Sequence, residues 1–281
     1  MTTTTSDAEL FRRGMRTLVA SWEANALGAA DAAVHHLDGV VAAVFPSGPE
    51  RDVYNNAVLG QGLSKAGRAE AIEAMESHYH RAGVDRFAAW VCEDDTWMRE
   101  DLERRGYLVS ETTRAMGLDL DRLVSPRPRV DAAPPAWSDY QRLFLPDRLL
   151  AGLDPATYRV ALARLGNDIV AAAICLDVGG DCGIYNVETL EPARRRGLAT
   201  SLTLLQVYDA RDRGCTTASL QSTPMAERVY AAIGFRDLGR IIEYVPRSGR
   251  LATGPPSLSS KEADLQGAVS PRCVRWCSWG S

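Results

Sequence analysis

The sequence predicts a mixed α/β protein built from two similar units. Three observations carry this expectation. Strand-like stretches alternate with stretches of helical spacing along both halves of the chain. Matching segments recur at an offset of roughly 130 residues, the self-similarity of an internal repeat. A proline-rich polar stretch, Ser125-Pro126-Arg127-Pro128-Arg129-Val130 followed by Ala132-Ala133-Pro134-Pro135, separates the copies as linkers do. The expected units are therefore 8–124 and 130–246.

In the first unit, Val53-Tyr54-Asn55-Asn56-Ala57-Val58-Leu59 parallels Ile184-Tyr185-Asn186-Val187-Glu188-Thr189-Leu190 of the second. Ser64-Lys65-Ala66-Gly67-Arg68-Ala69 parallels Arg194-Arg195-Arg196-Gly197-Leu198-Ala199, which aligns Gly67 with Gly197. Phe87-Ala88-Ala89-Trp90-Val91 matches the strand Thr217 to Gln221, and Leu102 to Tyr107 matches Tyr230 to Phe235. The second unit reads in order as follows. Trp137 to Leu150 is a helix interrupted by Pro146, and Pro155 to Leu165 a second helix. Ile169 to Leu176 and Cys182 to Leu190 are strands. Gly197 to Arg213 is a helix with Leu198, Leu202 and Leu205 on one face, closed by Arg213-Gly214. A strand Thr217 to Ser222, a helix Met225 to Ile233 closed by Gly234, and a strand Arg240 to Val245 complete it. Arg247 to Ser281 is rich in Gly, Ser and Pro without periodicity, so 247–281 is expected to be a disordered tail.

Composition narrows the functional classes. A net charge of -4 provides no basic field for nucleic acid or an anionic membrane, so neither is an expected partner. No apolar run approaches the ~20 residues of a membrane span. Met1 to Asp7 lacks the apolar core of a signal peptide, which points to the cytoplasm. The cysteines Cys92, Cys175, Cys182, Cys215, Cys273 and Cys277 form no Cys-x-x-Cys pair, and His78-x-His80 has helical spacing that turns the two rings apart, so no metal is expected. Cys273 and Cys277 are spaced so that they could pair adventitiously.

The run Arg194-Arg195-Arg196-Gly197-Leu198-Ala199-Thr200 carries the chemistry. It joins a strand to a helix, and the first N–H groups of a helix have no internal partner. The helix dipole favours negative charge there, Gly197 and Ala199 admit a diphosphate close to the backbone, and arginines add forked donors. A phosphate-binding module of another kind would need a Gly-Lys-Ser/Thr element, and the sequence contains none.

These residues resemble the GNAT acyltransferase superfamily. Arg194, Gly197 and Ala199 match its Arg/Gln-x-x-Gly-x-Gly/Ala motif. Leu220-Gln221-Ser222, Tyr230 and Gly234-Phe235 match its strand, tyrosine-bearing helix and Gly-Phe. The resemblance covers roughly Val130 to Pro246. It implies two twisted, mostly antiparallel sheets flanked by helices, with acetyl-CoA as co-substrate and a small-molecule primary amine as acceptor. It implies diphosphate binding by Arg194, Arg195, Arg196, Gly197, Leu198, Ala199 and Thr200, and pantetheine pairing along Val187 and Thr189. The Val187 N–H would polarise the thioester carbonyl, and Tyr230 would be the general acid. The general base stays open: Glu188 first, Glu227 second, or water. The first unit has Ser64 where the second has Arg194 and Leu102 where it has Tyr230, so a degenerate, substrate-shaping copy is expected. Leu143 to Leu150, Asn55, Asn56 and Trp90 are expected to line the acceptor pocket. A monomer is favoured, because the tandem chain already supplies a paired architecture. The competing class is a CoA-binding sensor or scaffold without turnover.

Overall fold

The computed structural model describes residues 4–48, 54–133, 136–145, 150 and 152–247. Nearly all of the expected tail, with Cys273 and Cys277, lies outside the described residues, as do Pro134-Pro135 and the segment around Pro146. The first segment runs α1 (Asp7–Leu27), β1 (Ala33–Leu37), β2 (Val40–Val44), β3 (Asn56–Leu59), α2 (Lys65–Arg81), β4 (Ala88–Cys92), α3 (Thr96–Arg104) and β5 (Tyr107–Asp119). The second runs β6 (Ala132–Ala133), α4 (Trp137–Phe144), β7 (Arg159–Leu165), β8 (Asp168–Val178), β9 (Asp181–Thr189), α5 (Leu198–Asp212), β10 (Thr217–Ser222), α6 (Glu227–Ile233) and β11 (Arg236–Pro246).

The architecture is mixed α/β with one large, mostly antiparallel sheet flanked by helices. Its strand order is β1-β2-β3-β4-β11-β5-β10-β9-β8-β7-β6. Among the described residues only β3–β4 and β9–β10 are parallel. The two expected units share this sheet by exchanging their last strands. β11, from 130–246, pairs with β4 through Ile241↔Cys92 to Tyr244↔Ala89. β5, from 8–124, pairs with β10 through Thr217↔Asp119 to Ser222↔Arg114. β5 and β11 pair with each other at the centre.

Alternation along the strands divides the core by face. Ile184, Val187, Ala218 and Leu220 pack under α5 and α6 with Leu202, Val207, Tyr230 and Ile233. Val44, Leu59, Ala89 and Val91 pack under α2 and α3 on the same face, with Ile72, Met75 and Leu102. The opposite face is one apolar layer in which Leu18 and Trp22 of α1 and Tyr140 and Phe144 of α4 cover Ala43, Trp90, Ala172, Ile174 and Tyr185.

Helix α1 starts at Ser6, whose hydroxyl accepts the Glu9 N–H. It crosses onto the second segment, and close approach is possible because Gly183 lies beneath it. A Cβ there would stand 2.6 Å from Thr17 Cγ2 and 2.4 Å from the Tyr185 hydroxyl. The buried Asp181 carboxylate fastens the contact. It accepts from Thr17 Oγ1 at 2.8 Å, Thr217 Oγ1 at 2.7 Å and Ser219 Oγ at 2.6 Å. A desolvated carboxylate is tolerated in the fold when its oxygens are occupied in this way.

Two local expectations change. Pro155 to Leu165 is not a helix: Arg159–Leu165 is β7, laddered to β8 from Arg159↔Cys175 to Leu165↔Asp168. Its alanines suit a helix, but Leu162 and Ala163 alternate between the two core faces, as a strand requires. Asn55, Asn56 and Trp90 do not line an open acceptor pocket. Asn55 Oδ1 accepts the Phe45 N–H at 2.8 Å, Trp90 Nε1 donates to Asn56 Oδ1 at 3.1 Å, and the Trp90 ring meets Trp22 edge-on. All three are buried and spend their polar groups inside the first segment.

Candidate active site

The parallel strands β9 and β10 pair only at Thr217↔Asp181, Ala218↔Cys182 and Ser219↔Gly183. Past Gly183 they separate, although β9 continues to Thr189 and β10 to Ser222. The β10-facing edge of β9 from Ile184 onward thus has no strand beside it among the described residues, an opening suited to an extended amide chain. At the mouth of this opening β9 kinks. Asn186 has φ 47, and the ladder to β8 slips between Ala172 and Ile174, the signature of a bulge. The bulge lets Val187 join the core under α5 while Glu188 lies near Tyr140, which belongs to the opposite layer. Asn186 Nδ2 donates to the Tyr140 hydroxyl at 2.6 Å.

Beyond β9, a single 3-10 turn at Glu191–Ala193 leads to the arginine run. Arg194 is half-buried and its Nε donates to the Thr189 carbonyl at 3.2 Å. Arg195 has φ 61, and Arg195, Arg196 and Gly197 are exposed. Gly197 is the residue before α5 and adopts φ 74, a conformation that penalises any Cβ. No side chain caps the helix, and the first amide to bond back is Ser201 to the Gly197 carbonyl at 2.9 Å. The N–H groups of Leu198, Ala199 and Thr200 remain for an anion.

Tyr230 stands on α6, in the core under α5, with its ring edge-on to Phe235 at 6.0 Å. Burial pushes its hydroxyl upward in pKa, so it is a protonated donor at neutral pH. Burial also raises Glu188, and the charge of Arg194 partly opposes the rise. Three buried polar atoms near this region have no hydrogen-bond partner among the described residues: Asn186 Oδ1, Thr189 Oγ1 and Trp137 Nε1. Trp137 also stacks on Tyr158 at 6.1 Å and leans on Tyr140 at 5.2 Å, an aromatic cluster in which both tyrosines are buried. The sequence reading did not single out Tyr140 or Trp137. The signal available was Asn186, since asparagine is enriched at left-handed positions.

The second candidate base fares differently. Glu227 has Arg114 Nε at 3.0 Å and Arg240 Nη1 at 3.6 Å from its carboxylate oxygens. Two guanidinium groups thus engage its carboxylate from Arg114 and Arg240.

The first segment has its own parallel pair, joined from Asn56↔Ala88 to Val58↔Trp90. A cavity of about 700 Å3 opens past it, lined by Phe11, Met15, Leu59, Cys92, Asp94 and Leu238 among others. Its following helix differs at the N-terminus. Ser64 Oγ accepts the Gly67 N–H at 3.1 Å. Ser64, not Gly67, therefore occupies the position of Gly197. Gly67 lies three residues inside α2 without positive φ, so the sequence alignment of these glycines is out of step by one helical turn.

Residues 122–235 match the sequence model of the acetyltransferase (GNAT) family. A search of curated proteins finds no match. Among solved structures, the chain is similar to a GCN5-related N-acetyltransferase from Kribbella flavida. The TM-score is 0.66 at 20% identity, covering 85% of this chain and 98% of that one. It is also similar to a tandem GNAT protein from the clavulanic acid biosynthesis pathway, with TM-score 0.56, 13% identity and coverage of 88% and 97%. A GCN5-related N-acetyltransferase from Sphaerobacter thermophilus gives 0.50, 17%, 74% and 76%. At these identities the likeness establishes the fold, which is that of GNAT structures. No helix among the described residues is long and apolar enough to cross a membrane.

Proposed function

We propose that this chain is a tandem GNAT enzyme that transfers an acetyl group from acetyl-CoA to a primary amine of a small molecule. The observation that carries the reading is the uncapped N-terminus of α5, open beside the separated strands β9 and β10. The diphosphate of the co-substrate would meet the Leu198, Ala199 and Thr200 amides and the guanidinium groups of Arg194, Arg195 and Arg196. Pantetheine amides would pair along the free edge at Val187 and Thr189. The Val187 N–H would then face the thioester carbonyl.

In this reading Glu188 takes a proton from the acceptor amine, which attacks the carbonyl carbon. A C–N bond forms, the C–S bond breaks, and Tyr230 protonates the departing thiolate. The first segment serves as a degenerate copy that shapes the substrate side. Its Leu102, at the place of Tyr230, is sealed in the core and has no proton to give. Two units in one chain support a monomer, and the cytoplasm is the compartment we assign. The sensor reading draws on one observation, the complete packing of Tyr230 against apolar neighbours.

Calorimetric titration with acetyl-CoA followed by an amine screen with thiol detection tests the reading. Binding with amine-dependent thiol release is expected; no binding overturns it, and binding without release for any amine favours the sensor. Tyr230→Phe should lower kcat about tenfold to hundredfold and leave acetyl-CoA affinity nearly unchanged. Loss of affinity would instead assign Tyr230 to packing. Because the base must be ionised and Glu188 is raised above the ordinary glutamate range, kcat/KM should rise with pH through its raised pKa. Glu188→Gln should lower the rate about hundredfold and flatten that limb. A limb that survives the substitution belongs to another group.

A further inference from the structure

Cysteines 175, 182 and 215 are far apart in any ligand-spacing sense, yet the sheet gathers them. Cys175 and Asp177 alternate onto one face of β8. The register Asp177↔Cys182 brings Cys182 of β9 opposite. The thiol sulfurs of Cys175 and Cys182 and a carboxylate oxygen of Asp177 all lie within 4.8 Å of one another. Cys215, a third free thiol, follows α5 nearby. We propose that Cys175, Asp177 and Cys182 form a site for a thiophilic divalent cation of the zinc class, with water as the fourth ligand.

The donor set is right for that class. Zinc takes four ligands from thiolate, imidazole and carboxylate in a tetrahedron, and bonds of about 2.3 Å to sulfur set ligand atoms roughly 3.8 Å apart. Side-chain rotations close the remaining distance. Thiolate donors select soft or borderline ions over magnesium or calcium. Charge also balances. Two thiolates and the Asp177 carboxylate would offset a divalent ion together with the Arg213 guanidinium. Arg213 Nε and Nη2 donate to the two Asp177 oxygens at 2.6 and 2.9 Å, and Nη2 lies 3.7 Å from Cys175 Sγ. Each carboxylate oxygen has a second lone pair for the ion, so Arg213 can stay as an outer partner that orients the ligand. The Cys175 thiol donates to Gln206 Oε1 at 3.0 Å, a bond that it gives up when it becomes a thiolate ligand. The two sulfurs of Cys175 and Cys182 are fully buried, while Asp177 is partly exposed and gives an entry path. The ion would pin β8 to β9 at the turn between them.

The test uses the full-length chain, reduced and stripped with chelator, then titrated with Co2+ and separately with Zn2+. A thiolate-to-cobalt charge-transfer band saturating at one ion per chain is expected. Cys182→Ser should weaken binding at least tenfold. The double variant Cys273→Ser/Cys277→Ser and Cys92→Ser should keep the band. Since Cys182→Ser sits in the core and can fail to fold, wild-type alkylation mapping gives a second readout. In partial denaturant, Zn2+ should slow labelling of Cys175 and Cys182 relative to the stripped chain and leave the Cys92 rate unchanged; equal rates with and without Zn2+ overturn the proposal. No band in the wild type overturns the proposal. So does a band that vanishes in the tail double variant, or a Cys175–Cys182 disulfide in air-oxidised protein with no cobalt bound after reduction.

Discussion

The N-termini of α2 and α5 occupy the same place in two segments of matching element order, and they treat their free amides in opposite ways. At α2 the chain supplies its own acceptor, the Ser64 hydroxyl on Gly67 N–H. The nearby arginine turns inward: Arg68 donates to the Leu63 carbonyl at 3.0 Å and to Asp101 at 2.6 Å, tying α2 to α3. At α5 a left-handed glycine replaces the serine, nothing caps the helix, and Arg195 and Arg196 face solvent. A helix end that satisfies itself stabilises a fold; one left unsatisfied beside fixed positive charge is available to a ligand.

The largest effect should come from breaking the closed end. Burial pushes the Asp101 carboxyl upward, and the hydrogen bond and charge of Arg68, with Arg104, outweigh it and hold it below the usual range. Arg68→Ala leaves that buried carboxylate only the exposed Arg104 and should cost about 3 kcal/mol in denaturant unfolding. The pair's stabilisation is present above the unfolded carboxylate pKa and lost as pH falls through the lowered one, so the variant should also lose part of its acid-side slope. An unchanged unfolding midpoint would mean that the pair holds nothing. At the open end, Gly197→Glu combines a strained φ with a carboxylate among the donors. Acetyl-CoA affinity should drop at least hundredfold, about 2.7 kcal/mol, while the strained φ lowers the melting temperature by only a few degrees. Affinity within threefold of wild type would place the co-substrate elsewhere. The smallest effect tests whether the cap alone separates the two ends. Ser64→Ala should cost about 1 kcal/mol of stability, and Ser64→Gly only a few tenths. Neither should create a second acetyl-CoA site, because α2 lacks the outward arginines. A second site in Ser64→Gly would show that the hydroxyl was the whole difference.

How much of this could be read in advance follows the range of the interactions. The arginine turn, α5, β9 and β10 were legible because each is specified by neighbours within one or two turns of chain. So was the mixed α/β class. The register of the repeat was not. Gly67 and Gly197 look alike in sequence, but only φ separates a glycine in a helix from one that must precede it, and the 3-10 turn at Glu191–Ala193 shifts the frame by three residues. β7 was hidden because Ala161 and Ala163 favour a helix until β8 supplies a ladder. The Cys175, Asp177 and Cys182 grouping depends on strand register, and the strand exchange depends on pairings between distant residues; neither leaves a local signature.

That exchange has a consequence for how the protein is made. While the chain emerges from the ribosome, the first segment is completed at Asp119, yet one long side of β4 has no partner until β11 is synthesised at Arg236–Pro246. β5 likewise waits for β10. An N-terminal fragment therefore carries three unpartnered strand edges, one on β4 and both on β5, while the chain grows from Asp119 to Pro246, the state in which nascent chains stick to one another. Nonsense or frameshift products ending near the linker should be insoluble and chaperone-bound, because the last strand of the second segment lies in the middle of the sheet.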